Sequence, residues 1–184
     1  MSVPVSAATT CAGLKAVAVP HAKITLAESV AASDLPAFCK VQATLAPSSD
    51  SEIKVEVWLP VAANWSGKFR GVGNGGLGGG ATVNPGGLTN ALRDGYAAAG
   101  NNTGHEGGSN YAIGHPEKIK DFGYRSSHEM TVFAKAMIKA YYASPLTYSV
   151  MAESGGGTIA ARRATARGLE LAYQVARCSR SDPF

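Results

Sequence analysis

Tyr148 to Gly157 reads YSVMAESGGG, an apolar, strand-like run that meets a serine and then three glycines. No other stretch limits the possible folds as much. A buried strand here has to end in a turn too tight for bulky side chains. The next residues, Thr158 to Arg177, are rich in alanine, arginine and leucine and contain no proline, which predicts a helix. Strand, sharp turn and helix in succession is the arrangement that projects a nucleophilic serine. The pattern G-x-S-x-G is met as Ala152, Glu153, Ser154, Gly155 and Gly156, with alanine in the first small position. The alternative is a glycine-rich turn whose serine does no chemistry.

Upstream, two segments alternate with a period of two. Cys39, Val41, Ala43 and Leu45 are interleaved with Lys40, Gln42 and Thr44; Ile53, Val55, Val57 and Leu59 are interleaved with Lys54, Glu56 and Trp58. With a Pro-Ser-Ser-Asp-Ser turn between them, they predict an antiparallel hairpin of half-buried strands. Ile24 to Val30 is expected to be extended, and residues 1 to 20 to be loosely held. Phe69 to Val72 reads as a strand that runs into the longest glycine tract, Gly71 to Gly80. Gly71, Gly73 and Gly76 match G-x-G-x-x-G, but the continuation LGGGATVNPGG cannot form the helix that a dinucleotide site needs. An oxyanion hole is a better use of the loop's backbone N–H groups, with Gly75 or Gly76 as donor together with Gly155, and a plain surface loop is the alternative. Leu88 to Arg93 predicts a short helix and Tyr96 to Ala99 a strand ending at Asn101-Asn102-Thr103-Gly104-His105. His105 is a candidate substrate contact, against the commoner solvated loop histidine. Met130, Phe133, Ala134, Met137, Ile138 and Tyr141 recur at three and four, a core-facing helix on which His128 reads as structural. The whole is an α/β chain with a central crossover, one domain over 1–184 with an atypical tail over 162–184.

Charge and cysteine content narrow the functions. The formal charge of +4 is concentrated in residues 155–184, where five arginines face only Glu170 and Asp182. No basic face interleaved with aromatics runs along the chain, so no nucleic acid is expected as partner. No apolar run has membrane-spanning length, no cofactor motif survives inspection, and no metal-ligand spacing is present. Of the three cysteines, Cys11 and Cys39 are the plausible bridge, and two buried free thiols the alternative. The start MSVPVSAATTC lacks a basic segment followed by an unbroken apolar one, so no intact signal peptide is expected.

A set of landmarks then resembles the tannase and feruloyl esterase family. They are Cys39-Lys40-Val41, Leu59-Pro60, Asn64-Trp65, Gly73-Asn74-Gly75-Gly76, Gly95-Tyr96-Ala97, Thr103-Gly104-His105, Asp121-Phe122-Gly123-Tyr124-Arg125, His128, Lys135 and Tyr141-Tyr142, in order up to Ser154. The resemblance implies a partial α/β-hydrolase fold, Ser154 as nucleophile of an aromatic-ester hydrolase, cysteines at the Cys11 and Cys39 positions, and a secreted or periplasmic setting. Three departures stand out. Glu153 replaces the family's cysteine before the nucleophile, so the tether to the residue after the catalytic histidine is absent. Asn102 replaces the aspartate before Thr-Gly-His. No histidine follows Ser154, so a triad in the order serine, acid, histidine cannot close within these residues. The chain is accordingly expected to match the N-terminal portion of longer relatives and to be nearly inert by itself. The competing expectation is a remnant or a carbohydrate- or aromatic-binding module that keeps the cleft without the chemistry.

Overall fold

The computed structural model describes residues 8–74, 85–144, 146–153 and 172–175. Their frame is a seven-stranded sheet in the order β1-β2-β3-β5-β4-β6-β7. Strands β1 (Ala22–Val30), β2 (Phe38–Leu45) and β3 (Ile53–Pro60) form an antiparallel meander, and β5 (Ala97–Asn101) pairs antiparallel with β3. From there the sheet is parallel: β5 beside β4 (Lys68–Val72), β4 beside β6 (Tyr148–Glu153), and β6 beside β7 (Ala172–Val175).

The chain passes from β4 to β5 in one direction along the sheet and from β5 over β4 to β6 in the other. Right-handed crossovers then put their helices on opposite faces. The two apolar clusters have this division. On one face, Leu88, Ala91 and Leu92 of α1 (Pro85–Arg93) pack with Phe38, Trp58, Val72 and Ala98. On the other, Met130, Phe133, Ala134, Met137 and Ile138 of α3 (Ser126–Tyr142) pack on Val41, Val57, Phe69, Ala97, Ala99 and Met151. The three-and-four stripe read from the sequence is therefore the core face of α3. That helix does not begin at its own first turn, however. A short α2 (Pro116–Lys120) leads into a single π-helical turn at Asp121–Arg125, and α3 follows directly.

Two expectations are corrected. The N-terminal segment is tied down from Thr9, whose N–H donates to the Ala140 carbonyl at 2.9 Å; Leu14 is fully buried, and Cys11 is bonded to Cys39. Second, the helix expected over Thr158 to Arg177 does not extend through Ala172–Val175, which is a strand in register with Val150 to Glu153. Helix propensity is a weak prior, and Tyr173 and Val175 suit a strand beside the otherwise unpaired edge of β6.

The disulfide ties the segment before β1 to β2 with Cα atoms 5.6 Å apart and closes a separation of 28 residues. Replacing both cysteines by serine should lower the unfolding free energy by about 3 kcal/mol, read from urea midpoints, and the unaltered chain under reductant should follow the variant.

Candidate active site

All parallel strands leave the sheet at one end, and the order reverses at β4. Val72 is opposite Gly100 of β5 on one side and Ala152 of β6 on the other, so the exits of all three strands are neighbours. In open parallel sheets this reversal opens a crevice at the carboxyl ends. The predicted nucleophile Ser154 and the predicted oxyanion donors Gly155, Gly75 and Gly76 lie outside the described residues. What is described is the ground on either side: Gly73 and Asn74 leaving β4, and Glu153 ending β6.

Asparagine side chains organise this end. The Asn74 amide donates to the Asn101 carbonyl at 2.6 Å, tying the start of the glycine tract to the end of β5. Asn101 Oδ1 accepts the Thr103 N–H at 2.7 Å, and its amide points to Met130 Sδ at 3.2 Å. Asn102 Oδ1 accepts two main-chain N–H groups, from Lys54 at 2.9 Å and Gly104 at 3.0 Å. Together they hold a turn in which Thr103 and Gly104 both have positive φ, 61° and 82°. A Cβ at Gly104 would stand 2.6 Å from Cβ of Asp121, so only glycine fits against the π-helical turn.

His105 follows that turn and is buried, with 4% of its surface exposed. Its ring stacks on Tyr111 with centroids 3.6 Å apart and meets the edge-on ring of Phe122 at 5.7 Å. The solvated alternative is thus excluded, and the reason is tertiary: both covering rings come from later segments. The ring's tautomer follows from its neighbour. Thr103 Oγ1 donates its single proton to the Asn102 carbonyl at 2.6 Å, so toward His105 Nδ1, 3.2 Å away, it can only accept. Nδ1 therefore carries the proton and Nε2 is a bare acceptor, buried and without a partner among the described residues. Desolvation lowers the His105 pKa from its ordinary value, a hydrogen bond with the Thr103 backbone works against this, and the Lys118 ammonium lowers it further. Burial thus favours the neutral ring. His128, by contrast, is half-buried on α3.

Beneath His105 lies an ion cluster that sequence reasoning left without a role. Asp121 is fully buried; its Oδ1 accepts from Arg125 Nε at 2.5 Å and from the Ser51 hydroxyl at 3.2 Å. Arg125 also donates to Glu117 Oε2 at 2.6 Å, to the Glu117 carbonyl and to Ser51 Oγ, both at 3.0 Å. One guanidinium thus joins α2, the π-helical turn and the β2–β3 turn. The aspartate–arginine spacing of four was the legible signal. Among the described residues no group of three or more potential ligands is placed to hold a metal ion.

Arg125→Ala should destabilise the chain by about 3–5 kcal/mol in urea denaturation, because it strands the Asp121 carboxylate in the interior. His105 gives a pH dependence of definite sign. Its folded pKa is below the unfolded value, so the unfolded chain binds the extra proton. Its contribution to stability should be whole above about pH 6.5 and be lost as the pH falls through the unfolded and then the folded pKa. Urea midpoints should fall over that range for the unaltered chain and fall less for His105→Phe.

Comparison with known proteins places this site in context. The family profile described as tannase and feruloyl esterase matches residues 39–164. An uncharacterised esterase of Xanthomonas campestris is 37% identical over 176 residues, 86% of this chain and 30% of its own length. A probable feruloyl esterase B-1 of Neosartorya fischeri is 41% identical over 106 residues, 57% of this chain and 19% of its own. Among solved structures, a feruloyl esterase B from Aspergillus oryzae superposes with a TM-score of 0.70 at 32% identity, over 81% of this chain and 32% of that one. A second Aspergillus oryzae esterase gives a TM-score of 0.73 at 28% identity, over 80% and 32%. The chain spans less than a third of the length of the curated relatives it matches. With its strand order, its disulfide and its α/β-hydrolase-like fold, the chain belongs to the tannase and feruloyl esterase family.

Proposed function

We propose that this chain carries the nucleophile-bearing part of a carboxylic ester hydrolase acting on esters of aromatic, phenolic acids. Ser154 attacks the ester carbonyl, and the N–H groups of Gly155 and of Gly75 or Gly76 hold the negative charge that develops on oxygen. The observation that carries this is the pairing of Val72 with Ala152. It makes the strand that leads into the glycine tract the neighbour of the strand that leads into Ser154, and both run toward the same end of the sheet. Asn74, bound to the Asn101 carbonyl, supports it by fixing where that tract begins.

A serine hydroxyl is a poor nucleophile at neutral pH until a base takes its proton. No histidine follows Ser154 in this sequence, so on this proposal the acid and histidine are supplied by further polypeptide. The names of the relatives, esterases and feruloyl esterases, support the substrate class. The Cys11–Cys39 bridge supports an oxidising compartment, periplasmic or extracellular.

The test is hydrolysis of methyl ferulate and methyl gallate. The 184 residues alone should give no more than roughly 10³–10⁴ over the water rate, the level left to a serine hydrolase without its triad. Fusion to an acid- and histidine-bearing continuation from a relative should raise turnover by orders of magnitude, and Ser154→Ala should abolish the gain. A fused protein indifferent to Ser154→Ala would sink the proposal.

A further inference from the structure

Between His105 and α2 the chain forms a strap, Glu106 to His115, that lies across the His105 ring without settling into the core. Among its described residues none is buried, and Ile113 is 75% exposed. Its main-chain hydrogen bonds among the described residues stay within it: the N–H of Tyr111 donates to the Gly108 carbonyl at 3.5 Å, that of Ile113 to Asn110 at 3.2 Å and that of His115 to Ala112 at 3.1 Å. Strap residues from Glu106 to His115 line a recess of about 280 Å³ together with His105 and Lys118, so the segment is not packed tightly on the body of the protein. Its aromatic anchor is Tyr111, which stacks on His105 at 3.6 Å and meets Phe122 at 6.0 Å. Few buried contacts and no main-chain bond to the sheet mark a segment of low local stability.

Each end of the strap has a hinge and a latch. Gly107 and Gly114 have positive φ, 86° and 75°, and a Cβ on either would meet nothing within 4 Å, so backbone conformation rather than packing calls for glycine there. Beside these hinges, Glu106 pairs with Lys54 of β3, and His115 Nδ1 donates to Asp50 Oδ1 at 2.8 Å. Both latches close on one hairpin, at the β2–β3 turn and the start of β3. Their side chains are between 29% and 51% exposed, where an ion pair adds little and salt screens it.

We propose that the strap is a hinged gate: when the two latches part it swings about Gly107 and Gly114, carries Tyr111 off the His105 ring and opens His105 to solvent at the carboxyl end of the sheet. His105 stays behind, because Asn102 Oδ1 holds the N–H groups of Lys54 and Gly104 and Gly104 lies against Asp121. Opening breaks one ring stack and two exposed pairs, and no main-chain hydrogen bond among those described. Such a motion belongs with the hinged loops that gate sites in microseconds to milliseconds. The gate goes beyond the esterase proposal and stands whether or not Ser154 is a nucleophile.

The experiment is carbethoxylation of the full chain by diethyl pyrocarbonate, which acylates neutral imidazole nitrogen, with the rate at each histidine read by peptide mass mapping. His21, exposed and outside the strap, reports the activity of the reagent, and amide exchange at the buried Phe133 of α3 reports global unfolding. His105 should react more slowly than His21, yet be protected well below the level of the Phe133 amide. Salt at about 1 M, which screens the latches, should speed the His105 reaction several-fold relative to His21. Asp50→Ala combined with Glu106→Ala should speed it about fivefold to tenfold, the size of two surface ion pairs, and leave Phe133 exchange unchanged. If His105 is protected as strongly as Phe133, its exposure belongs to global unfolding and the gate is overturned. A His105 rate that neither salt nor the double variant alters overturns it as well, and the salt arm uses the unaltered chain, so a variant that fails to fold leaves the test intact.

Discussion

The reversal of strand order at β4 is the constraint from which the rest follows. A central parallel strand flanked on both sides by parallel partners needs two crossovers leaving in opposite directions, and right-handedness then distributes their helices to opposite faces. The strands between those helices have little room for side chains. β5 is Ala-Ala-Ala-Gly-Asn and is buried at every position, and Gly71 of β4 faces Met151 and Met130. The small residues of the middle of the sheet are thus packing requirements of a strand covered on both sides. The neighbouring exits of β5, β4 and β6 at the carboxyl end follow from the same reversal rather than from any single residue.

The motifs that mark the family sort in space into two groups. At the amino end of the parallel strands, Trp65 stacks on Tyr142 at 3.7 Å, the Tyr142 hydroxyl donates to the Pro60 carbonyl at 2.7 Å, and Trp65 Nε1 donates to the Lys68 carbonyl at 3.0 Å. These bonds fasten the end of α3 to the chain entering β4, with no chemistry in view. At the carboxyl end, Thr103-Gly104-His105 and the Asp121 to Arg125 turn lock together, where Gly104 lies against Asp121. Pairs far apart in the sequence, such as Pro60 with Tyr142 and Ser51 with Asp121, carry the fold's register.

How much of this could be read from the sequence depends on where each residue finds its partners. β2 and β3 were legible because one face is half-exposed and the other buried, which writes alternation into the chain. The stripe of α3 was legible for the same reason. β5 was legible only as a run of small residues, since burial on both faces erases alternation. β7 was misread as helix because a long window of helix formers outweighed four residues whose preference is set by β6. His105 was expected in a polar loop because its own neighbours are polar. Tyr111 and Phe122, which bury it, lie in stretches without periodicity, and only the turn at Thr103 and Gly104 brings them together. The spacing of Asp121 and Arg125 was visible, but the π-helical turn that buries one and leaves the other bridging three segments was not.

Asn102 shows what position 102 requires of its side chain. Its Oδ1 accepts two main-chain N–H groups and its own N–H donates to the Lys54 carbonyl at 3.0 Å, so the turn needs an acceptor with two lone pairs at this point. An amide oxygen provides that without charge. A carboxylate would make stronger bonds, at the cost of desolvating an ion at a site only 1% exposed. It would also change its surroundings, because position 102 borders the same small recess as His105 and Lys118. A negative charge there would favour the protonated imidazole and oppose the lowering due to Lys118. The amide keeps the turn and adds no charge that would favour the protonated imidazole. The choice of an amide over a carboxylate at position 102 is therefore felt less in the backbone than in the balance between the neutral and protonated forms of the buried His105.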